Sequence, residues 1–341
     1  MSVPVINKAA CIGCGVIGAG WIARLVLNGI DVTVFDPDPQ ASRKVGEVLE
    51  NARRAYKAMS PDGLPAEGAI TYTSELAEAV AGADFIQESV PERIDLKHKV
   101  LAAIDAHAPA NALIGSSTSG LLPSEMQSVM KHPERLVVAH PYNPVYLLPL
   151  VEIVGGRSTS QETITRAEAL YASIGMKPVT IAKEIEAFVG DRLLEAVWRE
   201  ALWLIKDGIC TVEELDDIMR YSFGLRWAQM GLFQVYRIAG GESGMRHFMA
   251  QFGPALKWPW SKLTDVPEFN DELVDLIASQ SDAQSGQWSI RELERIRDDN
   301  LVAIMDALAK QDTGKGWGAG ELLKSYREAL SQRGGAKPAK D

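Results

Sequence analysis

Cysteine is scarce in this sequence, and three of them in 341 residues cannot build a disulfide framework. Long apolar runs are missing as well. None approaches the ~18 consecutive residues that a membrane-spanning helix needs. The N-terminus, MSVPVINKAACIGCG, has no charged region followed by an unbroken apolar one. No secretory signal is therefore expected, and the chain is assigned to the cytoplasm with no membrane partner. Positive charge is in deficit: 35 Lys and Arg face 45 Asp and Glu, giving a net charge of −10. Such a surface repels polyanions and argues against a nucleic-acid partner. What remains is ordinary globular composition, 46% hydrophobic and 23% charged, which excludes a disordered chain or a fibre. The length suggests two domains, since domains usually run ~100–200 residues.

The first half alternates short apolar runs with helical patterns. Lys8–Gly13 and Asp31–Phe35 read as strands, with a helical pattern over Ile17–Asn28 between them. Further strands are expected at Ala69–Tyr72, Asp84–Gln87, Ala112–Gly115, Leu136–Ala139, Leu150–Val154 and Lys177–Ile181. Helical patterns fill most of the gaps, which implies a doubly wound α/β sheet of Rossmann type, mainly parallel. After residue 184 the pattern turns all-helical, beginning with Ala187–Lys206. Of eight tryptophans only Trp21 precedes that change. The expected division is a doubly wound domain over 1–184, a helical domain over 185–330, and a small, polar, mobile tail over 331–341.

Gly13-Cys14-Gly15-Val16-Ile17-Gly18 spells G-x-G-x-x-G. Alone that is a weak signal. Here it follows a strand, opens a helix, and is answered by Asp36, 18 residues after Gly18, at the end of the next strand. The pattern predicts a dinucleotide whose pyrophosphate meets the free N–H groups of the helix N-terminus. Asp36 suits ribose hydroxyls and repels a 2′-phosphate, so NAD is expected rather than NADP. Cys11 and Cys14 form C-x-x-C, but both belong to this motif, and neither a redox role nor a metal is expected.

Three segments lie just past strand C-termini, where doubly wound sheets bind ligands. They are 87–92 (QESVPE), 116–120 (SSTSG) and 140–144 (HPYNP). Oxidising an alcohol needs a base for the hydroxyl proton, and imidazole suits neutral pH. His140 is one of only five histidines. Glu152, twelve residues on and set among Leu150, Val151, Ile153 and Val154, needs a polar partner if buried.

At this point the sequence resembles the 3-hydroxyacyl-CoA dehydrogenase superfamily over roughly residues 8–320. His140-Pro141-Tyr142-Asn143-Pro144 with Glu152 is similar to the family's H-x-x-N-P…E signature, which implies a histidine base and its glutamate partner. Ser119 matches the family's active-site serine. Glu88 to Glu92 with Lys97 matches the segment on the nicotinamide side. The resemblance thus implies Glu92, Lys97 and Ser117 as further NAD contacts, a helical second domain and a homodimer. Gly190-Asp191-Arg192-Leu193-Leu194 departs from the family, which carries asparagine where Asp191 stands. A carboxylate cannot donate to a thioester carbonyl, so Asp191 points to a cationic or hydroxyl-rich small molecule. Residues 36–84 also lack the lysine-rich stretch that would suit coenzyme A.

Residues 18–24, 144–152, 224–233 and 245–252 most resemble a branch of the family acting on small quaternary-ammonium hydroxy acids. Such a cation is held by aromatic faces, at ~0.5–2 kcal/mol each. Candidates include Trp198, Trp203, Trp227, Trp258 and Trp260, with Tyr142 and Phe252 foremost. Arg192 and Arg226 are candidate donors to a substrate carboxylate. Some members carry a further C-terminal hydrolase-like domain, and none is expected here. Alternatives within the family are an L-gulonate-type dehydrogenase and a 3-hydroxybutyryl-CoA dehydrogenase. Outside it stands a non-catalytic NAD-binding protein, against which the Ser119, His140 and Glu152 set argues.

Overall fold

A computed structural model of the chain describes residues 6–335, except 62, 229–230, 240–243, 253–258, 260, 262–267, 269, 286 and 312–318. Trp258, Trp260 and residues 336–341 of the expected tail lie outside the described residues. The chain divides into two compact units, Met1–Val189 with Leu322–Asp341, and Gly190–Glu321.

The first unit opens with β1 (Lys8–Ile12), α1 (Val16–Leu27), β2 (Asp31–Phe35), α2 (Ala41–Met59) and β3 (Ile70–Thr73). It continues through α3 (Leu76–Val80), β4 (Phe85–Glu88), α4 (Ile94–His107), β5 (Leu113–Ser116) and α5 (Pro123–Met126). It then runs through β6 (Leu136–Pro141), β7 (Leu150–Gly155), α6 (Gln161–Ser173) and β8 (Lys177–Ile181). The eight strands form one sheet in the order β3-β2-β1-β4-β5-β6-β7-β8. Every pair is parallel except β6 with β7.

Side chains of a strand alternate between faces, and both faces of this sheet are covered. Ala9 and Cys11 of β1 enter one core with Trp21, Leu25, Phe85 and Tyr171. Ala10 and Ile12 enter the other with Val80, Leu101, Ile104 and Ile114. Each fully buried aliphatic or aromatic side chain contributes about 1.5–3 kcal/mol relative to exposure. That explains why the strands read as apolar runs rather than as alternating ones.

The second unit is helical: α7 (Gly190–Lys206), α8 (Val212–Tyr221), α9 (Phe223–Trp227), α10 (Leu232–Ala239), α11 (Gly244–Phe252), α12 (Asp271–Ser285) and α13 (Ile290–Ala309). Thr211 and Glu214 cap α8 reciprocally, and Ser289 and Glu292 do the same for α13. No helix among the described residues is long and apolar enough to cross a membrane.

The last helix, α14 (Gly320–Gly335), differs from the sequence expectation, which gave it no helix and a mobile tail from residue 331. Its greater part belongs to the first unit. Tyr326 stacks edge-on to Tyr56, and its hydroxyl meets Asn28 Nδ2 at 2.6 Å and the Tyr56 hydroxyl at 2.9 Å. Arg333 donates to Asn28 Oδ1 at 2.9 Å and to the Ser173 carbonyl at 2.7 Å. These long-range partners hold residues whose local composition is that of a loose end.

Candidate active site

The glycine turn sits between β1 and α1, where β1 and β4 are neighbours and the strand order changes direction. Gly13 has φ +95°, and a Cβ there would lie 2.6 Å from the Ser89 carbonyl oxygen. A Cβ on Gly18 would lie 1.9 Å from the Gly13 carbonyl oxygen. Gly15 faces open space instead. Two of the glycines thus allow tight packing, and the third leaves the backbone open to a ligand. Val16 starts the helix 65% exposed, with Ile17 half-buried behind it.

A cavity of about 740 Å³ opens over this turn, lined among others by Gly13, Gly15, Ile17, Asp36, Ser89 and Val90. One Asp36 oxygen accepts the Cys14 N–H at 2.5 Å, and the other accepts the Asp38 N–H at 2.8 Å. Those contacts fix the carboxylate at the rim, with acceptor capacity left for ribose hydroxyls. Turn, helix N-terminus, acid and cavity together fit NAD. Burial, together with the Asp36 carboxylate, pushes the Cys14 thiol up to about 12, and burial raises Cys11 as well.

The segment after β4 is tied down from below. Lys97 is 1% exposed, with its ammonium 2.8 Å from Glu88 Oε1, 3.2 Å from the Val90 carbonyl and 3.5 Å from Glu92 Oε2. Three hydrogens meet three oxygens of the 88–92 segment, so Lys97 shapes that segment from beneath. Glu92 Oε1 accepts the Thr118 hydroxyl and the N–H groups of Ser119 and Gly120, the last two at 3.1 Å. It thereby sets the path of the serine loop after β5. Ser119 is half-buried, and its hydroxyl has no hydrogen bond among the described residues. Ser117 lies deeper, accepting Trp21 Nε1 at 3.0 Å and Gln87 Nε2 at 2.7 Å.

The antiparallel pair β6 and β7 places His140 directly opposite Glu152. Both are buried, and His140 Nδ1 lies 2.9 Å from Glu152 Oε2. The Tyr142 hydroxyl donates to the same oxygen at 3.0 Å, and the Val189 N–H donates to Oε1 at 3.2 Å. These contacts fix the carboxylate in place. The His140 ring lies between the rings of Tyr142, at 4.8 Å, and Phe188, at 5.7 Å. Phe188 and Ala187 both have positive φ, 47° and 59°. Non-glycine residues adopt that region at a cost of about 1–3 kcal/mol each. Here the turn delivers one ring to His140 and one N–H to Glu152. Sequence reading missed this turn, because nothing in Glu186-Ala187-Phe188-Val189 marks a left-handed conformation.

Arg24 was equally hidden. It is buried in α1 and donates to the carbonyls of Val145 at 2.8 Å, Ile174 at 2.8 Å and Leu148 at 3.2 Å. It pins the loop between β6 and β7.

In the second unit, Asp191 lies in the first turn of α7 and is half-buried. Phe252 ends α11, is 47% exposed and packs on Phe248 at 4.9 Å.

Residues 8–185 match the model of the 3-hydroxyacyl-CoA dehydrogenase NAD-binding domain, and residues 188–269 match that of the C-terminal domain. The chain belongs to the 3-hydroxyacyl-CoA dehydrogenase family. Like the rest of that family, it is an NAD-dependent dehydrogenase of 3-hydroxy substrates. It is 76% identical to an L-carnitine dehydrogenase of Mesorhizobium japonicum, over 98% of this chain and 92% of that one. It is 66% identical to an L-carnitine dehydrogenase/betainyl-CoA thioesterase of Rhizobium meliloti, over 97% of this chain and 67% of that longer one. Among solved structures, an NAD-dependent 5-formyl-3-hydroxy-2-methylpyridine 4-carboxylic acid 5-dehydrogenase superposes with a TM-score of 0.77 at 28% identity. That match covers 90% of this dehydrogenase and all of the other chain.

Proposed function

We propose that this dehydrogenase oxidises the 3-hydroxyl of L-carnitine to 3-dehydrocarnitine, with His140 as general base. The observation that carries the chemistry is the buried contact between His140 Nδ1 and Glu152 Oε2. The likeness to L-carnitine dehydrogenases carries the substrate.

With Nδ1 turned to Glu152, His140 presents Nε2 to the substrate hydroxyl and takes its proton. Glu152 holds the tautomer and stabilises the imidazolium that forms. The Ser119 hydroxyl donates to the substrate oxygen. Gly13, Gly15, Val16, Ile17 and Gly18 would hold NAD, with Asp36 for its ribose, and the nicotinamide would supply the acceptor for the C3 hydride. Glu92, Lys97 and Ser117 shape the nicotinamide side.

Carnitine's trimethylammonium has no hydrogen to donate, so aromatic faces and a carboxylate suit it. The Tyr142 ring beside His140 and the exposed Phe252 supply faces, and Asp191 supplies the charge. In this reading the first unit holds the cofactor and the helical unit pairs two copies. The exposed apolar side chains of Leu193, Leu194, Trp198 and Phe233 support pairing. The enzyme works in the cytoplasm.

The test is NADH formation from L-carnitine by His140→Ala and Glu152→Gln, alongside NAD affinity by titration calorimetry. Loss of the base lowers kcat by about 10²–10⁴-fold, with NAD affinity unchanged. Near-wild-type turnover by His140→Ala would remove it from the reaction.

A further inference from the structure

Ser89 follows β4 and lines the dinucleotide cavity. Its Cβ lies 3.3 Å from where a Cβ on Gly18 would stand, so it packs directly on the glycine turn. Beneath it runs a buried polar chain. The Tyr171 hydroxyl donates to Gln87 Oε1 at 2.7 Å, and Gln87 Nε2 donates to Ser117 Oγ at 2.7 Å. Trp21 Nε1, which can only donate, also gives its hydrogen to Ser117 Oγ, at 3.0 Å.

A hydroxyl accepts two hydrogen bonds and donates one. Both lone pairs of Ser117 are therefore taken, and its hydrogen goes to Ser89 Oγ, 2.8 Å away. Ser89 receives that hydrogen and keeps its own, which has no partner among the described residues. Burial holds the Tyr171 phenol well above its ordinary range, so the chain starts from a permanent donor.

The strand order β2-β1-β4 puts Asp36 on one side of the glycine turn and Ser89 on the other. Asp36 takes the adenosine side. We propose that Ser89 is a binding residue for the pyrophosphate oxygens on the nicotinamide side, its hydroxyl aimed as a donor by the Tyr171–Gln87–Ser117 relay. The proposal rests on NAD occupying the turn. It assigns to Ser89 and the buried chain a task that the glycines and Asp36 do not perform. An anionic oxygen is the strongest acceptor that such a hydroxyl can meet.

The test is calorimetric titration of the wild-type enzyme, Ser89→Ala and Tyr171→Phe with NAD and, separately, with AMP, which lacks the second phosphate. Melting temperatures without nucleotide are taken in parallel. Ser89→Ala should raise the Kd for NAD about tenfold, the size of one hydrogen bond to a charged group. Its AMP affinity and melting temperature stay at wild-type values. Tyr171→Phe lies in the core, away from the cavity. It frees the Gln87 amide to turn over and accept from Ser117, so NAD affinity falls about threefold as the aim of Ser89 is lost. An unchanged NAD Kd in both variants overturns the proposal. So does an equal loss for NAD and AMP, which would mean a damaged cavity. A wild-type enzyme that binds no NAD would bring down the cofactor reading and this proposal together.

Discussion

At the scale of single residues, the site is organised by counting donors and acceptors. Glu152 accepts from His140, Tyr142 and the Val189 backbone. The sequence singled out His140 and Glu152 through chemistry, a base and a buried acid that needs a partner. It singled out Tyr142 only as an aromatic face. That its hydroxyl also lands on Glu152 was not legible, because residue spacing says which side chains are near and not which atoms meet. Asp191 stands where the family resemblance implies an asparagine. Asp191→Asn should raise the KM for L-carnitine about two- to tenfold, the size of a partly exposed ion pair. Any turnover of 3-hydroxybutyryl-CoA should rise. Steady-state kinetics on both substrates check this, and two unchanged parameters would remove Asp191 from substrate selection.

At the scale of elements, the first half of the chain was readable almost strand by strand. Asp31–Phe35 and Lys177–Ile181 are strands with the expected bounds, and the others shift by a residue or two. Buried parallel strands give unbroken apolar runs, which are easy to see. The reversal at β7 was not visible, and it is the feature that sets His140 opposite Glu152. A spacing of twelve residues permits many registers, and the loop between the strands selects one. Arg24 holds that loop through the carbonyls of Val145 and Leu148 and ties it to Ile174 after α6. Arg24→Met keeps the bulk and removes every donor. Buried carbonyls left unsatisfied cost about 1–3 kcal/mol each. Urea denaturation should therefore show a loss of about 3 kcal/mol or more, with kcat falling as the pair loses its frame. A wild-type midpoint would contradict the assignment of Arg24 as the anchor of this loop.

At the scale of the whole molecule, the chain is a Rossmann unit and a helical unit, and the first is completed by the end of the chain. Tyr326 packs where a Cβ on Gly175 would come within 2.5 Å of its ring, and its hydroxyl joins Tyr56 and Asn28. Such a return was not legible, since the polar, glycine-containing stretch near residue 334 reads locally as a loose end. The acidic surface and the missing basic stretch already argued against coenzyme A at the level of composition. The likeness to L-carnitine dehydrogenases points the same way. The central claim, that the enzyme oxidises a small quaternary-ammonium alcohol, is tested most directly by one assay. NADH formation is followed with wild-type enzyme and NAD, with L-carnitine, D-carnitine, L-gulonate and 3-hydroxybutyryl-CoA in parallel. The account predicts rapid turnover of L-carnitine and little of its enantiomer. Turnover of L-gulonate or the CoA ester with silence on L-carnitine would contradict it.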